Sequence, residues 1–242
     1  AVLLARVLRE SFGAGGAACR PLVPRDGLSE SLVDPALARL ASLGVELRWG
    51  SRLRGINVTD DRVATLAFDG GQEMLAPGEA IVLAVTAPVA ARLVPGLAAP
   101  DEFRAIVNAH YRLAASAASP LFVGLVSGAA EWVFRKREVL SVTISAGDRF
   151  IDTPADELAA LLWRDVMRAY DLRDATLPPW QIVKERRATF AATPAQLRRR
   201  PPAATRWTNL ALAGDWTETG LPATIEGAIR SGLAAAAHLL PA

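Results

Sequence analysis

Asp215 is the carboxylate whose neighbours say most about chemistry. It follows the apolar run Leu210, Ala211, Leu212, Ala213 as half of a Gly-Asp pair, and a polar turn separates it from a helical pattern opening at Pro222-Ala223-Thr224. A strand that stops at Gly214-Asp215 and feeds a helix gives a polar ligand two grips. The carboxylate accepts hydrogen bonds from hydroxyls, and free N–H groups near Thr224 and Ile225 present the positive end of a helix dipole. Two other groups are candidate proton donors. His110 sits beside Tyr111 in a strand-like run, where a satisfied structural histidine is the commoner outcome. Glu131 sits beside Trp132, and burial would have to raise its pKa before it could protonate a leaving hydroxyl. No Ser, His and Asp constellation can be placed. One Cys and two His offer no metal-ligand spacing, so no metal is expected and redox chemistry would belong to a cofactor.

The elements that must position these groups follow from periodicity. Pro222 suits the first helical turn, because its missing N–H would have no partner there. Ile225, Ile229 and Leu233 recur at helical spacing with Ala228, Gly232 and Ala236 beside them, which predicts a helix lying close to a sheet or a flat ligand. Glu226 and Arg230 form an i,i+4 pair on its other side. Earlier in the chain, residues 1–12 read as a helix. A second helix is capped by Ser29 and runs to Gly44, kinked or restarted by Pro35. Residues 45–58 read as strand, bend and strand, and 63–75 as a hairpin around Asp69-Gly70-Gly71. Residues 79–85 form a continuous apolar strand expected to be buried on both faces, followed by a helix over 89–93. Runs 103–112 and 131–145 are strand-like, 156–170 is an amphipathic helix and 181–191 a further strand. Arg198-Arg199-Arg200-Pro201-Pro202 reads as a solvated turn.

Composition bounds the rest. The 242 residues are 51% apolar, enough for one large or two small domains. Net charge is 27 − 25 = +2, which gives no argument for nucleic acid. A single cysteine, Cys19, rules out an internal disulfide framework and fits a reducing compartment. Arg6, Arg9 and Glu10 interrupt the apolar opening at helical spacing, as in an amphipathic helix and unlike a signal peptide. The uncharged run 113–130 contains Pro120, Gly124 and Gly128 and is a poor membrane span. Gly13, Gly15 and Gly16 follow a helical pattern, the wrong context for a phosphate cradle.

Over twenty contiguous positions, AGDWTETGLPATIEGAIRSG resembles the C-terminal flavin-binding signature of the FAD-dependent amine oxidase and phytoene desaturase superfamily. Within it the likeness is to the squalene-associated branch, the dehydroxylases of hopanoid biosynthesis. The resemblance implies a mixed α/β (α+β) chain: the C-terminal part of an FAD/NAD(P)-binding, Rossmann-like flavoprotein with a substrate domain of antiparallel sheet plus helices. Family members carry their G-x-G-x-x-G unit well ahead of anything matching Ala1. The implied division is 1–44 as a helical part of the substrate domain, 45–100 as an FAD-domain segment, 101–200 as substrate-domain sheet and helices, and 201–242 as the FAD-binding strand, loop and helix.

The resemblance also implies FAD as cofactor, held by Gly214, Asp215, Trp216, Leu221, Pro222, Ala223, Thr224 and Ile225. Asp215 would lie on the ribityl chain, and the backbone near Leu53 on the adenine. Arg25, Asp26 and Ser29 are secondary candidates for flavin or substrate contact. Tyr111, Trp132, Phe134 and the segment 121–126 are expected to line a channel for a lipid-like isoprenoid. The implied reaction is reductive removal of the hydroxyl of hydroxysqualene to give squalene. Its acid is unassigned, because the branch tends to carry an amide where this chain has Glu131. A carotenoid desaturase and a non-catalytic isoprenoid-binding module are the alternatives. The expected location is cytoplasmic, with peripheral contact at the inner membrane as an open arrangement.

Overall fold

The computed structural model describes residues 1–24, 26–113, 119–173 and 175–240. The helices are α1 (Val2–Glu10), α2 (Asp34–Ser42), α3 (Ala87–Leu93), α4 (Ala155–Tyr170), α5 (Pro194–Leu197) and α6 (Ile225–Leu239). The strands are β1 (Leu53–Thr59), β2 (Arg62–Phe68), β3 (Gly71–Met74), β4 (Ile81–Leu83), β5 (Phe103–Arg112), β6 (Phe122–Gly124), β7 (Trp132–Lys136), β8 (Val139–Ile144), β9 (Trp180–Phe190) and β10 (Leu210–Leu212). The chain divides into two units, one of Ala1–Arg20, Arg48–Glu102 and Phe190–Ala242, the other of Pro21–Leu47 and Phe103–Thr189. Among the described residues no helix is long and apolar enough to cross a membrane, and no cluster of His, Cys, Asp or Glu could hold a metal ion.

The second unit is built on a sheet in the order β6-β7-β8-β5-β9. Period-two alternation gives it two unlike faces. Ala105, Val107, Ala109 and Tyr111 of β5, Val133 of β7, and Leu140, Val142 and Ile144 of β8 are all buried. All of these but Ala105 form one core with Leu158, Leu162, Trp163, Val166 and Tyr170, which recur at helical spacing along α4. Each such aliphatic side chain removed from water contributes about 1.5–3 kcal/mol. Asp165, also on α4 and only 8% exposed, accepts from the N–H groups of Ala129 (2.7 Å) and Ala130 (2.9 Å) and pairs with Arg168 at 3.0 Å. That bond set fixes the approach to β7. Gly128 is required in it, since its φ is +140° and a Cβ would lie 2.7 Å from the Asp165 carboxylate.

In the first unit β1, β2 and β3 form an antiparallel meander whose second turn is Asp69-Gly70, and β4 pairs with β10 in parallel. The buried Asn209 amide braces them. Its Oδ1 accepts from the Val63 N–H (2.8 Å), and its Nδ2 donates to the carbonyls of Val63 (2.9 Å) and Glu79 (3.3 Å). α6 packs against Ala211 and Ala213 through Ala235 and bonds the end of β10 through Ser231, and its buried Gly227 lies close to the preceding loop at Thr219 and Pro222.

Several elements depart from the sequence expectations. Residues 45–49 form no strand: the alternation is present, but without an edge to pair with it leaves Trp49 76% exposed. Ser29 starts a turn of π-helix (Ser29–Val33) with Leu28 before it and no side-chain cap, and Pro35 restarts the chain as α2. β4 is not buried on both faces. Val82, paired in register with the buried Ala211, stays 42% exposed because β4 is half of a two-stranded sheet. The run 131–145 is a hairpin of β7 and β8, reversed at Arg137, which takes φ +43°. On α6 the large residues Ile225, Ile229 and Leu233 are exposed, and the buried stripe is Gly227, Ser231 and Ala235, not the expected Ala228, Gly232 and Ala236. Arg25 and residues 114–118 lie outside the described residues.

Candidate functional site

β10 ends in a tightly bonded loop. Gly214 takes φ +147°, and a Cβ there would lie 2.3 Å from the Trp216 indole nitrogen, so only glycine fits. Its N–H donates to Ser231 Oγ on α6 (2.7 Å), tying the strand end to the helix. Trp216 is buried, with its indole N–H on the Val85 carbonyl (2.8 Å). Asp215, between them, is half-buried. Burial pushes its carboxyl above the ordinary carboxylate range, while the charge of Arg200 and the N–H groups of Trp216 and Asp215 pull it back.

The loop ends at Thr224, whose extended backbone and hydroxyl cap α6 by accepting from the Gly227 N–H (3.0 Å). Pro222 was expected inside the first helical turn. It lies instead two residues before the cap, its carbonyl accepting from the Thr224 hydroxyl (3.2 Å). A helix beginning at Ile225 leaves the N–H groups of Ile225 and Glu226 without intrahelical acceptors. Glu226 is drawn along the helix to Arg230 (2.6 Å), as expected, and does not fold over that mouth. Leu221 is buried, Pro222 and Ala223 are half-buried, and Leu53 opens β1 opposite Phe68.

The residue that sequence reasoning missed is Arg200. Far from being solvated, it is only 6% exposed and lies 4.7 Å over the Phe190 ring. Its guanidinium donates to the carbonyls of Leu221 (2.9 Å), Asp215 (3.0 Å) and Trp216 (3.4 Å) and to the Thr219 hydroxyl (2.8 Å). Burial lowers its pKa, and Asp215 and Glu218 raise it in turn. Arg6 adds a bond to the Thr219 carbonyl (3.0 Å). One planar fork thus sets the backbone that carries Asp215. Its neighbour Arg199 pairs with Asp101 at 2.9 Å.

In the other unit the sheet face opposite α4 carries Asn108 and His110 from β5, Ser141 and Thr143 from β8, and Trp132, Phe134 and Lys136 from β7. His110 Nδ1 lies 3.0 Å from Ser141 Oγ, and the Thr143 hydroxyl donates to Asn108 Oδ1 (2.9 Å). Burial first, and Lys136 second, lower the His110 pKa, which favours the uncharged ring. Tyr111 was expected in the substrate channel and is not on this face. It is fully buried against α4, its hydroxyl donating to the Ala159 carbonyl (2.7 Å) and its ring 5.0 Å from that of Trp163. Glu131 accepts from the Ser145 N–H (2.9 Å), which holds it at the start of the hairpin. Leu121 and Val126, also expected in the channel, are exposed.

The sequence profile described as flavin containing amine oxidoreductase matches residues 5–118 and 126–240. The chain belongs to the flavin-containing amine oxidoreductase family. Among curated relatives, the hydroxysqualene dehydroxylase of Rhodopseudomonas palustris is 52% identical over 242 residues, covering 99% of this chain and 57% of that protein. The hydroxysqualene dehydroxylase of Sinorhizobium fredii is 49% identical over 97% of this chain and 56% of its own length. The chain thus spans a little over half the length of the curated relatives it matches. Among solved structures, a putrescine oxidase double mutant superposes with a TM-score of 0.61 at 16% identity, covering 86% of this chain and 52% of that one. Cyclohexylamine oxidase from Brevibacterium oxydans gives 0.55 at 18%, covering 93% and 52%. The mixed α/β fold and the flavin cofactor expected from the sequence stand with the family.

The residues at the end of β10 fit such a group. A half-buried carboxylate, a helix mouth with two N–H groups that lack intrahelical acceptors and a loop fixed by Gly214 and Arg200 suit the hydroxyl-bearing chain and polar ring edge of a flavin family's cofactor.

Proposed function

We propose that the protein is an FAD-dependent oxidoreductase that removes the hydroxyl of hydroxysqualene reductively to give squalene, within hopanoid and isoprenoid biosynthesis. The observation that carries this reading is identity of 44–52% along nearly the whole chain to three proteins bearing the hydroxysqualene dehydroxylase name. The reaction breaks one C–O bond and forms one C–H bond. It consumes a hydride and a proton and releases water. A bound reduced flavin supplies the hydride. On this reading Asp215 binds and orients the cofactor through its hydroxyls, with the first turn of α6 facing the polar edge of the ring.

The test is single turnover under anaerobic conditions, using the protein at the length of its curated relatives after reduction of its flavin. Squalene should form in proportion to flavin reoxidised. A flavin-loaded enzyme that reoxidises without making squalene would reject the substrate. Desaturation of phytoene with an external acceptor would move the protein to the carotenoid alternative.

A further inference from the structure

Two adjoining cavities, of about 340 and 290 Å³, lie on the sheet face opposite α4, walled by Leu22 and Val23 and sharing Phe134 and Thr143. The first is lined at its polar end by His110, Ser141, Asn108 and Lys136. The second is lined by Phe122 and Trp132. There the rings of Trp132 and Phe134 each lie 6.1 Å from that of Phe122, giving an aromatic floor.

The groove's electrostatics discriminate among the small molecules a flavin oxidoreductase could take. Among the described residues no Asp or Glu lines either cavity, and Lys136 lines the first. An alkylammonium would find no counter-ion there and would meet a like charge, an arrangement that disfavours it. A neutral hydroxyl is matched instead. Ser141 Oγ engages Nδ1 of His110 and orients the ring; because the hydroxyl can donate or accept there, Nε2 is left to accept from or donate to a ligand hydroxyl. Among the described residues Nε2 has no other hydrogen-bond partner.

We propose that this groove binds a linear isoprenoid alcohol, its hydroxyl on His110 and its hydrocarbon along Phe134, Trp132 and Phe122, with Ser141 as the positioning residue that orients the imidazole. The ligand class rests on the function proposed above; the exclusion of amines rests on the groove alone. Loss of one hydrogen bond to the hydroxyl is expected to weaken binding about five- to tenfold.

The test titrates farnesol, farnesene and farnesylamine into the 242-residue chain by calorimetry. Farnesol should bind, and farnesylamine about tenfold more weakly or worse. His110→Phe should reduce the preference for farnesol over farnesene about five- to tenfold, and Ser141→Ala should do so in part, with Ser141→Thr restoring it. Trp132→Ala should weaken both ligands alike. Farnesylamine binding as tightly as farnesol, or a farnesol-to-farnesene ratio unmoved by His110→Phe, would overturn the proposal. Farnesyl diphosphate binding at least tenfold more tightly than farnesol would overturn it in favour of an anion site at Lys136. These outcomes do not depend on flavin or turnover. A groove that behaves as stated in a protein making no squalene would sink the function and leave the groove standing.

Discussion

Arg200→Lys is expected to destabilise the chain by about 3 kcal/mol or more, and in a flavin-loaded protein to release the flavin. The side chain is buried and its guanidinium serves four oxygens of the loop 215–221 in one plane. A lysine ammonium can reach one or two of them and keeps the cost of burying a charge, so the remaining acceptors lose their donor inside the protein at about 1–3 kcal/mol each. Arg200→Met removes the charge and abandons all four, so it belongs in the same range. Urea midpoints measured at constant slope report the stability, and absorbance of the retained flavin reports the site. A lysine variant within about 1 kcal/mol of the parent would show that the loop holds its shape without the fork.

The second large effect lies in the other unit. Tyr111→Ala should cost about 3–5 kcal/mol, as for other large aromatic truncations in cores, because Tyr111 is fully buried between β5 and α4. Tyr111→Phe, which keeps the ring beside Trp163 and loses only the bond to the Ala159 carbonyl, should cost about 1 kcal/mol. Neither change touches the groove on the opposite face, so farnesol affinity of the Phe variant should equal that of the parent. A drop in affinity with Tyr111→Phe at unchanged stability would return Tyr111 to the substrate channel.

These two residues mark the limits of what could be read from the chain. The strand, loop and helix around Asp215 were legible because their signature is contiguous, as was the ion pair of Glu226 and Arg230; the helix start was read at Pro222 and lies at the Thr224 cap, whose hydroxyl bond to Gly227 decides it. The hairpin at Asp69-Gly70 and the helix α4 were legible for the same reason. Arg200 was not. Three arginines before two prolines look solvated, and what buries the third is a set of carbonyl acceptors 15 to 21 residues away. Tyr111 was misplaced because a period of two shows which residues share a face, while the face that receives α4 is decided by long-range packing. His110 and Trp132 fell on the open face by the same alternation. Residues 45–49 carried the alternation of a strand but found no partner, and α6 packs through its small residues because close approach to β10 excludes its large ones.

The central claim is that Asp215 is kept half-buried to hold a flavin and not to hold the fold, and one variant separates the two. Burial raises the Asp215 pKa, so at neutral pH its ionised form is carried into the folded chain at a cost. That cost is absent once the group is protonated and grows as the pH rises from the ordinary carboxylate range through the raised folded value. Asp215→Asn removes it while keeping the shape. Flavin content and thermal midpoint should therefore be measured on Asp215→Asn and its parent, in the protein at the length of its curated relatives. Flavin affinity should fall about tenfold or more, as for loss of hydrogen bonds to a charged group. The midpoint of the flavin-free protein should hold or rise at pH 7, with that difference closing in acid. Unchanged flavin content, or a flavin-free midpoint that falls at pH 7, would contradict the account.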